Sequence, residues 1–283
     1  MKKGVAVKHP LVIYHANCWD GFCAAWVARM ALGDIEAVPA HYGTEPPDVS
    51  GREVYVLDFS YDLDTMAEMA SRSGSFTVLD HHKTAERTIA DLNAMFITNN
   101  MAGRARYAAD KSGARMAWEF FGQFGGWQGM KAPWLVDYTE DRDLWRHALP
   151  ESTNINAALR SYPLDFAIWD EFHSTVGQRE MFKREGAAIR RAEQQIVSTH
   201  LRHARRQTIG GHDVPIVNAT VLVSEIAGEL AKGEPFGACY FDRFDGKRQW
   251  SLRSDENGLD VSEIAKAHGG GGHKHAAGFE TQP

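Results

Sequence analysis

Short apolar runs alternate with longer amphipathic stretches along the first part of the chain. Four of these runs predict strands, at residues 11–14, 54–57, 76–79 and 95–98. Between them, residues 21–32 and 63–72 have the length and the spacing of apolar positions that are typical of helices. Strands that alternate with helices indicate an α/β domain with a mostly parallel sheet.

The middle of the chain predicts only helices, and the pattern changes again near residue 200. Helical segments are predicted at residues 112–121, 134–138, 154–160, 166–172 and 177–203. After them come two strands around a Gly-Gly-His-Asp turn, a helix, a hairpin centred on Asp245-Gly246, and a second helix at 261–268. We therefore predict two domains, residues 1–195 with the parallel sheet and residues 196–283 with a smaller mixed α/β fold.

Composition and charge exclude several classes of protein. Hydrophobic residues make up 43% of the chain and charged residues 24%, as in globular proteins. No apolar run approaches the ~18 residues of a membrane span, and His9 and Pro10 interrupt the first run, which disfavours a signal peptide. Three cysteines without a CxxC pair support neither a disulfide framework nor a zinc ribbon. We expect a cytoplasmic protein without membrane contact.

Acidic and imidazole side chains stand where the predicted strands end. His15 and Asp20 follow the first strand, Asp58 ends the second, and Asp80 begins an Asp-His-His tripeptide at the end of the third. The carboxyl ends of parallel strands meet at one edge of a sheet, where ligands bind in open α/β folds. A divalent cation would neutralise such a cluster, and its mixture of carboxylates and imidazoles suits Mn²⁺ or Mg²⁺.

These motifs resemble the DHH phosphoesterase superfamily, subfamily one. "VLDHHK" (residues 78–83) is similar to its Asp-His-His signature, with "YHANCWDG" (14–21), "VLDFS" (56–60) and "DRDLW" (141–145) in the order of the other motifs. "SLRS" (251–254) and "GGGGHKHAAGF" (269–279) resemble the DHH-associated C-terminal domain. Together they cover nearly the whole chain, and the combination of DHH with the C-terminal glycine motif is specific.

The resemblance implies a two-domain fold with the active site in the cleft between the domains, and it implies two Mn²⁺ or Mg²⁺ ions. The metal ligands that it implies are His15, Asp20, Asp58, His81 and Asp143. Asp141 is the alternative to Asp143 in the fourth motif, and Asp58 is placed to bridge the two ions. Asp80 and His82 complete the predicted catalytic group with Asp58 and His81, either by orienting ligands or by touching the scissile phosphate.

The C-terminal motif is predicted to bind substrate. Consecutive glycine N–H groups form nests that bind anions, and glycine lets the backbone approach a ligand closely. Arg253 can hold a phosphate through two hydrogen bonds or stack on a base. The predicted substrate-binding residues are Arg253, Gly270, Gly271, Gly272 and His273.

The first motif departs from the family pattern. The family usually has a histidine followed by two closely spaced carboxylates, whereas His15 is followed by Asn17 and then by Asp20 alone. Asn17 brings no charge, so we expect one of the two ions to bind less tightly if Asn17 replaces a ligand. Cys18 and Cys23 flank Asp20 outside any evident ligand pattern, and we interpret both as packing residues.

The predicted function is metal-dependent hydrolysis of short oligonucleotides by an activated water, as in an oligoribonuclease-like exonuclease. The net charge of −6 disfavours a structural protein that coats duplex DNA. The alternatives with the same fold are a phosphoesterase acting on cyclic dinucleotides or bisphosphonucleosides and a RecJ-like single-strand exonuclease. A nucleotide-binding protein without activity is a further alternative. The sequence leaves open the native metal, the cleavage polarity, RNA versus DNA, and the oligomeric state, including a homodimer.

Overall fold

The computed structural model describes residues 9–283, which divide into two compact units at Ala187 and Ala188. The first unit contains strands β1 (Leu11–His15), β2 (Glu36–Ala40), β3 (Glu53–Leu57), β4 (Ser75–Asp80) and β5 (Gly103–Tyr107). Its helices are α1 (Trp19–Leu32), α2 (Leu63–Arg72), α3 (Glu86–Thr98), α4 (Gly113–Gly125), α5 (Trp134–Asp143), α6 (Ser152–Arg160) and α7 (Phe166–Ser174). Helix α8 (Gln178–Leu201) runs across the division.

The first unit is built on a parallel five-stranded sheet of order β2-β1-β3-β4-β5. Its inner strands β1, β3 and β4 are largely buried on both faces, which explains their continuous apolar runs. Val12 and Leu57 pack with α1 and α4 on one face, and Ile13 and Val56 pack with α2 and α3 on the other. Strand β2 lies on one side of β1, and the next strand along the chain, β3, lies on the other side. The strand order therefore reverses between β1 and β3. Ligands of open α/β sheets bind at this point.

The second unit contains β6 (Arg205–Ile209), β7 (His212–Asn218), α9 (Val223–Leu230), β8 (Gly237–Asp242), β9 (Arg248–Arg253), α10 (Val261–Ala267), β10 (Gly271–His273) and β11 (Ala276–Thr281). Its six-stranded sheet has the order β10-β11-β9-β8-β7-β6. Only the β7–β8 pair is parallel among the pairs of this sheet in residues 9–283, so the sheet is mixed. The predicted fold class, α/β with a parallel N-terminal sheet and a mixed C-terminal sheet, is confirmed.

One predicted strand of the first unit is wrong, and the two edge strands of its sheet were not predicted. Residues 95–98 form the last turn of α3, because Leu92 and Phe96 recur at helical spacing toward the core while Ile97 is 77% exposed. Strand β2 contains Pro39 and strand β5 alternates arginine with alanine. Both lie at edges of the sheet, where proline and charged residues are tolerated, so an apolar pattern does not find them.

No helix within residues 9–283 is long and apolar enough to cross a membrane.

Candidate metal centre

Asp58 lies at the centre of the cluster formed by the strand ends. The residue follows β3 and is 1% exposed. Its Oδ1 lies 3.0 Å from Nε2 of His81, and its Oδ2 lies 3.6 Å from Nδ1 of His15. Neither carboxylate oxygen accepts a well-formed hydrogen bond. A buried carboxylate in this state, between two imidazoles, is the arrangement that a shared cation requires.

The backbone of Asp58 is held in an unusual conformation. Its φ is 56°, in the left-handed region that few residues other than glycine adopt. The Asp58 N–H donates to the carbonyl oxygen of Leu79 at 2.8 Å, which fixes the residue against the end of the neighbouring strand β4. Burial alone would raise the pKa of the Asp58 carboxyl, but His15 and His81 hold that pKa well below its usual value. The carboxyl is therefore ionised and ready to bind a cation.

The Asp80 carboxylate accepts hydrogen bonds within the Asp-His-His tripeptide itself. Its Oδ1 accepts hydrogen bonds from the N–H groups of His81 and His82, at 2.7 and 3.1 Å, and contacts Nδ1 of His82 at 2.7 Å. Its Oδ2 accepts from the Ser60 hydroxyl at 2.6 Å. Although burial raises it, the pKa of Asp80 is lowered overall by His82 and Ser60. Asp80 thus holds the backbone of both histidines and contacts the His82 imidazole.

Asp20 has two roles in the geometry. It lies in the first turn of α1, and its carboxylate accepts hydrogen bonds from the N–H groups of Gly113 and Ala114, at 2.6 and 2.9 Å. These bonds satisfy the first N–H groups of α4. The same Oδ2 lies 3.5 Å from Nε2 of His81. Asp20 therefore joins the start of α4 to the cluster.

The two aspartates of the fourth motif have different positions: one holds a loop, and the other reaches the cluster. Asp141 is 4% exposed and accepts hydrogen bonds from the N–H groups of Ala148 and Leu149, at 2.9 and 3.3 Å. Asp143 places its Oδ2 3.5 Å from Nε2 of His81. Asp141 thus holds the loop after α5, and Asp143 is the aspartate that reaches the cluster.

Two groups of three side chains could each hold an ion, and Asp58 stands between them. In each group, one ligand atom from every member lies within 4.8 Å of the others: His15 with Cys18 and Asp58, and Asp20 with His81 and Asp143. A third group, Asp58 with Asp80 and His82, overlaps the first. The structure therefore brings together all five predicted metal ligands and both further members of the predicted catalytic group.

The electrostatics of the cluster fit a divalent cation. Burial raises the pKa of Asp20 and of Asp143, and the neighbouring carboxylates raise both further. The pKa of His81 is raised by Asp58, Asp143 and Asp20 although burial opposes this shift. Without a cation the carboxylates therefore compete for protons, and a bound divalent ion would relieve that repulsion.

The first motif contributes Cys18 to the cluster, which the sequence interpretation missed. Cys18 was interpreted as a packing residue, yet its Sγ belongs to the group with His15 and Asp58. Asn17 is exposed and has a φ of 54°, a left-handed turn conformation that asparagine adopts more readily than most residues. The sequence does contain a signal for Cys18. Cys18 and Asp20 are two residues apart, a spacing closer to that of the family's two carboxylates than the spacing of Asn17 and Asp20.

The predicted substrate-binding residues lie in the second unit. Arg253 ends β9, and its guanidinium donates to the Ser224 hydroxyl at 2.7 Å and to the Leu252 carbonyl at 2.8 Å. Ser254, the next residue, contacts Nδ1 of His275 at 3.0 Å. The His275 imidazole therefore supports the "SLRS" segment.

The glycine run forms a hairpin and a helix cap instead of a free loop. The Gly269 and Gly270 N–H groups donate to the carbonyls of Lys266 and Ala265 at the end of α10, at 3.0 and 2.8 Å. Gly271 and Gly272 belong to β10 and pair with β11. A Cβ atom on Gly270 would collide with the Gly278 carbonyl oxygen. These glycines therefore permit close backbone packing. Gly269 and Gly270 do not form the predicted anion-binding nest, because their N–H groups already donate to carbonyls of α10.

Two exposed aromatic rings lie beside cluster residues and were not predicted as site residues. Tyr42, in the loop after β2, is 61% exposed, and its ring centroid lies 6.0 Å from that of His15. Trp145, two residues after Asp143, is 43% exposed and has a φ of 56°. The Arg142 guanidinium lies 5.1 Å from the centroid of the Trp145 ring. No sequence pattern marks Tyr42, because its position depends on the fold of the loop.

Comparison with curated proteins finds similarity over most of the chain. An uncharacterized protein, R106, of Acanthamoeba polyphaga mimivirus is 26% identical over 95% of this chain. The oligoribonuclease NrnB of Bacillus subtilis is 26% identical over 94% of it. The chain spans 66% of the length of R106 and 71% of that of NrnB. No family model matches the chain.

Solved structures share the fold at low sequence identity. The pGpG-specific phosphodiesterase PggH of Vibrio cholerae superposes with a TM-score of 0.53 and 13% identity, over 97% of this chain and 94% of that one. RecJ of Thermus thermophilus, in complex with Mn²⁺, superposes with a TM-score of 0.51 and 13% identity, over 97% of this chain and 50% of RecJ. The order of the motifs, the clustered strand ends and these relatives therefore make the chain similar to the DHH phosphoesterase superfamily over most of its length.

Proposed function

We propose that the protein is a metal-dependent phosphodiesterase that hydrolyses short oligonucleotides. The observation that carries this proposal is the buried Asp58 carboxylate, which lies 3.0 Å from His81 and 3.6 Å from His15 and accepts no well-formed hydrogen bond. A permanently buried carboxylate without such partners would be costly unless a cation binds it. Its position at the reversal of strand order is where ligands of this fold class bind.

The side chains divide into those that hold cations and those that orient them. His15, Asp58, His81, Asp20 and Asp143 would hold Mn²⁺ or Mg²⁺, with Asp58 shared between the two groups. Bound divalent ions would polarise a phosphate and lower the pKa of a water molecule. Asp80 would position His81 through its backbone N–H and would orient the His82 imidazole through Nδ1. No nucleophilic serine is needed in this chemistry.

A nucleotide substrate is favoured over an inorganic phosphate chain by the aromatic rings. Tyr42 is exposed with its ring centroid 6.0 Å from that of His15, and Trp145 is exposed two residues after Asp143. Bases stack on such rings with ~1–3 kcal/mol per base. NrnB is named an oligoribonuclease, and PggH is named a phosphodiesterase specific for pGpG, a linear dinucleotide. Arg253, His273 and the glycine hairpin of the 196–283 domain are the proposed substrate-binding residues. The hairpin would act through its position at a sheet edge rather than through a nest at Gly269 and Gly270.

The test is a product time course with four labelled substrates: a dinucleotide, a pentanucleotide, a long single strand and a cyclic dinucleotide. Each is incubated with Mn²⁺, with Mg²⁺ and with EDTA, beside the Asp58→Asn variant. We expect the dinucleotide and pentanucleotide to be cleaved fastest with Mn²⁺ and not at all with EDTA. Faster cleavage of the long strand would support the RecJ-like alternative, and faster cleavage of the cyclic substrate would support the cyclic-dinucleotide alternative. Full activity of metal-stripped protein would overturn the mechanism.

A further inference from the structure

Cys18 lies against the site from the turn between β1 and α1. It directly precedes the first residue of α1 and has an extended backbone, with φ −117° and ψ 128°. The side chain makes no capping hydrogen bond to the helix. Its Sγ, a ring nitrogen of His15 and a carboxylate oxygen of Asp58 lie within 4.8 Å of one another.

The other two cysteines show what a packing role looks like in this chain. Cys23 and Cys239 are fully buried, and each belongs to a hydrophobic core cluster. Cys18 is only half-buried and belongs to none of the core clusters formed by residues 9–283. Its neighbours are an imidazole and a carboxylate, so packing does not explain its position.

A second observation points to a ligand at the same place. Asp58 is 1% exposed, both of its oxygens are without a well-formed hydrogen bond, and one of them faces Cys18 and His15. Nitrogen, sulfur and carboxylate oxygen are the donor atoms that bind Zn²⁺ and related metals in proteins. The three donors come from the ends of two adjacent strands and from the turn that follows one of them, so the sheet itself holds them together.

We propose that Cys18 supplies a thiolate ligand to the cation that His15 and Asp58 hold. The cation takes the place of the thiol proton, which is released to solvent, and no electron is transferred. A thiolate favours softer ions, so this position selects Zn²⁺, Co²⁺ or Fe²⁺ over Mn²⁺ and Mg²⁺. The group of Asp20, His81 and Asp143 offers only oxygen and nitrogen and suits Mn²⁺. The centre therefore has two unlike positions, an inference that rests on the proposed metal-dependent function.

The experiment uses Co²⁺ as a probe, because a thiolate bound to Co²⁺ gives a charge-transfer absorption in the near ultraviolet. Metal-stripped wild type, Cys18→Ser, Cys18→Asp and Cys23→Ala are titrated with Co²⁺, and bound cobalt is measured by elemental analysis. Cys23→Ala is the matched control, since it removes the thiol that lies five residues after Cys18, within α1. We expect the band in wild type and Cys23→Ala, and its loss in both Cys18 variants while cobalt remains bound.

Competition between ions gives a second measurement on the same proteins. Cys18→Asp converts the position to nitrogen and oxygen donors, so its preference for Zn²⁺ over Mn²⁺ should fall by about tenfold or more relative to wild type. Should a Cys18 variant fail to fold, alkylation of Cys18 in wild type is followed by mass spectrometry, and Zn²⁺ should protect the thiol.

The possible failures are distinguishable. Stoichiometric cobalt in wild type without the band, or an equal band in Cys18→Ser, overturns the thiolate ligand and leaves the proposed phosphodiesterase intact. Wild type that binds no divalent ion at all overturns both the ligand and the metal-dependent function. Alkylation of Cys18 at the same rate with and without Zn²⁺ also overturns the ligand.

Discussion

A Cβ atom on Gly113 would lie 2.5 Å from the Cβ atom of Asp58 and 2.9 Å from its Oδ1. Real Cβ atoms do not come so close, so the first residue of α4 has to be glycine for Asp58 to keep its position. The Gly113 N–H also donates to Asp20 at 2.6 Å. The start of α4 therefore fixes two predicted ligands at once, one by close packing and one by a hydrogen bond.

Gly113→Ala should displace Asp58 and weaken cation binding. Alanine favours the helix more than glycine does, so we expect the fold to remain while affinity for Mn²⁺ falls by about tenfold or more. Isothermal calorimetry with Mn²⁺ measures the effect. Gly122→Ala is the matched control in the same helix, because its Cβ would meet only side-chain atoms of Trp127 and the Gln128 backbone. Equal affinities in both variants would contradict the packing argument.

Asp58→Asn should abolish hydrolysis while preserving the fold. Asparagine tolerates a φ of 56° at least as well as aspartate, so the backbone keeps its conformation. Loss of the shared charge should lower kcat by at least ~10³, the size of a major electrostatic contribution to catalysis. Initial rates and the thermal midpoint are measured beside Asp62→Asn, which changes an exposed capping aspartate at the start of α2. A loss in kcat of less than tenfold would refute the central role of Asp58.

Substitution of Asp141 should affect mainly the stability of the fold, and substitution of Asp143 should affect mainly cation binding. Asp141→Asn leaves one of two backbone N–H donors without an acceptor, which should cost about 1–3 kcal/mol of unfolding free energy. Asp143→Asn should not lower that free energy, because it removes a buried carboxylate whose pKa is raised, but it should lower the affinity for Mn²⁺. Urea unfolding in EDTA and calorimetry with Mn²⁺ check the two expectations separately. The opposite result would exchange the roles of the two aspartates.

The metal-free protein should lose stability as the pH rises. The pKa values of Asp20 and Asp143 are raised in the folded protein, so the folded state holds protons that the unfolded state gives up above about pH 4. The pKa of His81 is also raised, and its contribution is lost at pH values above its unfolded pKa of about 6.5. Because cations compete with these protons, the rise in thermal midpoint that Mn²⁺ causes should be larger at pH 8 than at pH 6. A rise independent of pH would contradict this reasoning.

Arg253→Ala and His273→Ala should raise KM for a dinucleotide more than they lower kcat. A charged hydrogen bond to phosphate is worth ~1.5–3 kcal/mol, so the increase in KM for Arg253→Ala should be about tenfold or more. Both variants should bind Mn²⁺ as the wild type does. Arg248→Ala, which removes the half-buried partner of the exposed Asp242, serves as the control. An unchanged KM in both variants would remove these residues from substrate binding.

The sequence predicted those features that local pattern determines. Buried strands such as β3 and β4 are continuous apolar runs, and the residues at their carboxyl ends come together because parallel strands end at the same edge. Edge strands were missed because their burial is partial. Cys18 was interpreted as a packing residue because its position near His15 and Asp58 depends on the turn between β1 and α1, in which Asn17 is exposed. The glycine hairpin was not predicted because β10 is only three residues long and contains two glycines, which rarely indicate a strand.

The hydrogen bonds from Gly113 and Ala114 to Asp20 should make the exchange of these two amide protons sensitive to cation binding. Two amide protons at the start of α4 are protected by a carboxylate that lies 3.5 Å from His81. When a cation fixes that carboxylate, opening of the first turn requires the ion to leave, so deuterium uptake by these amides should slow with ion concentration. Exchange kinetics at a single helix terminus would then give the dissociation constant of the ion, without substrate and without turnover.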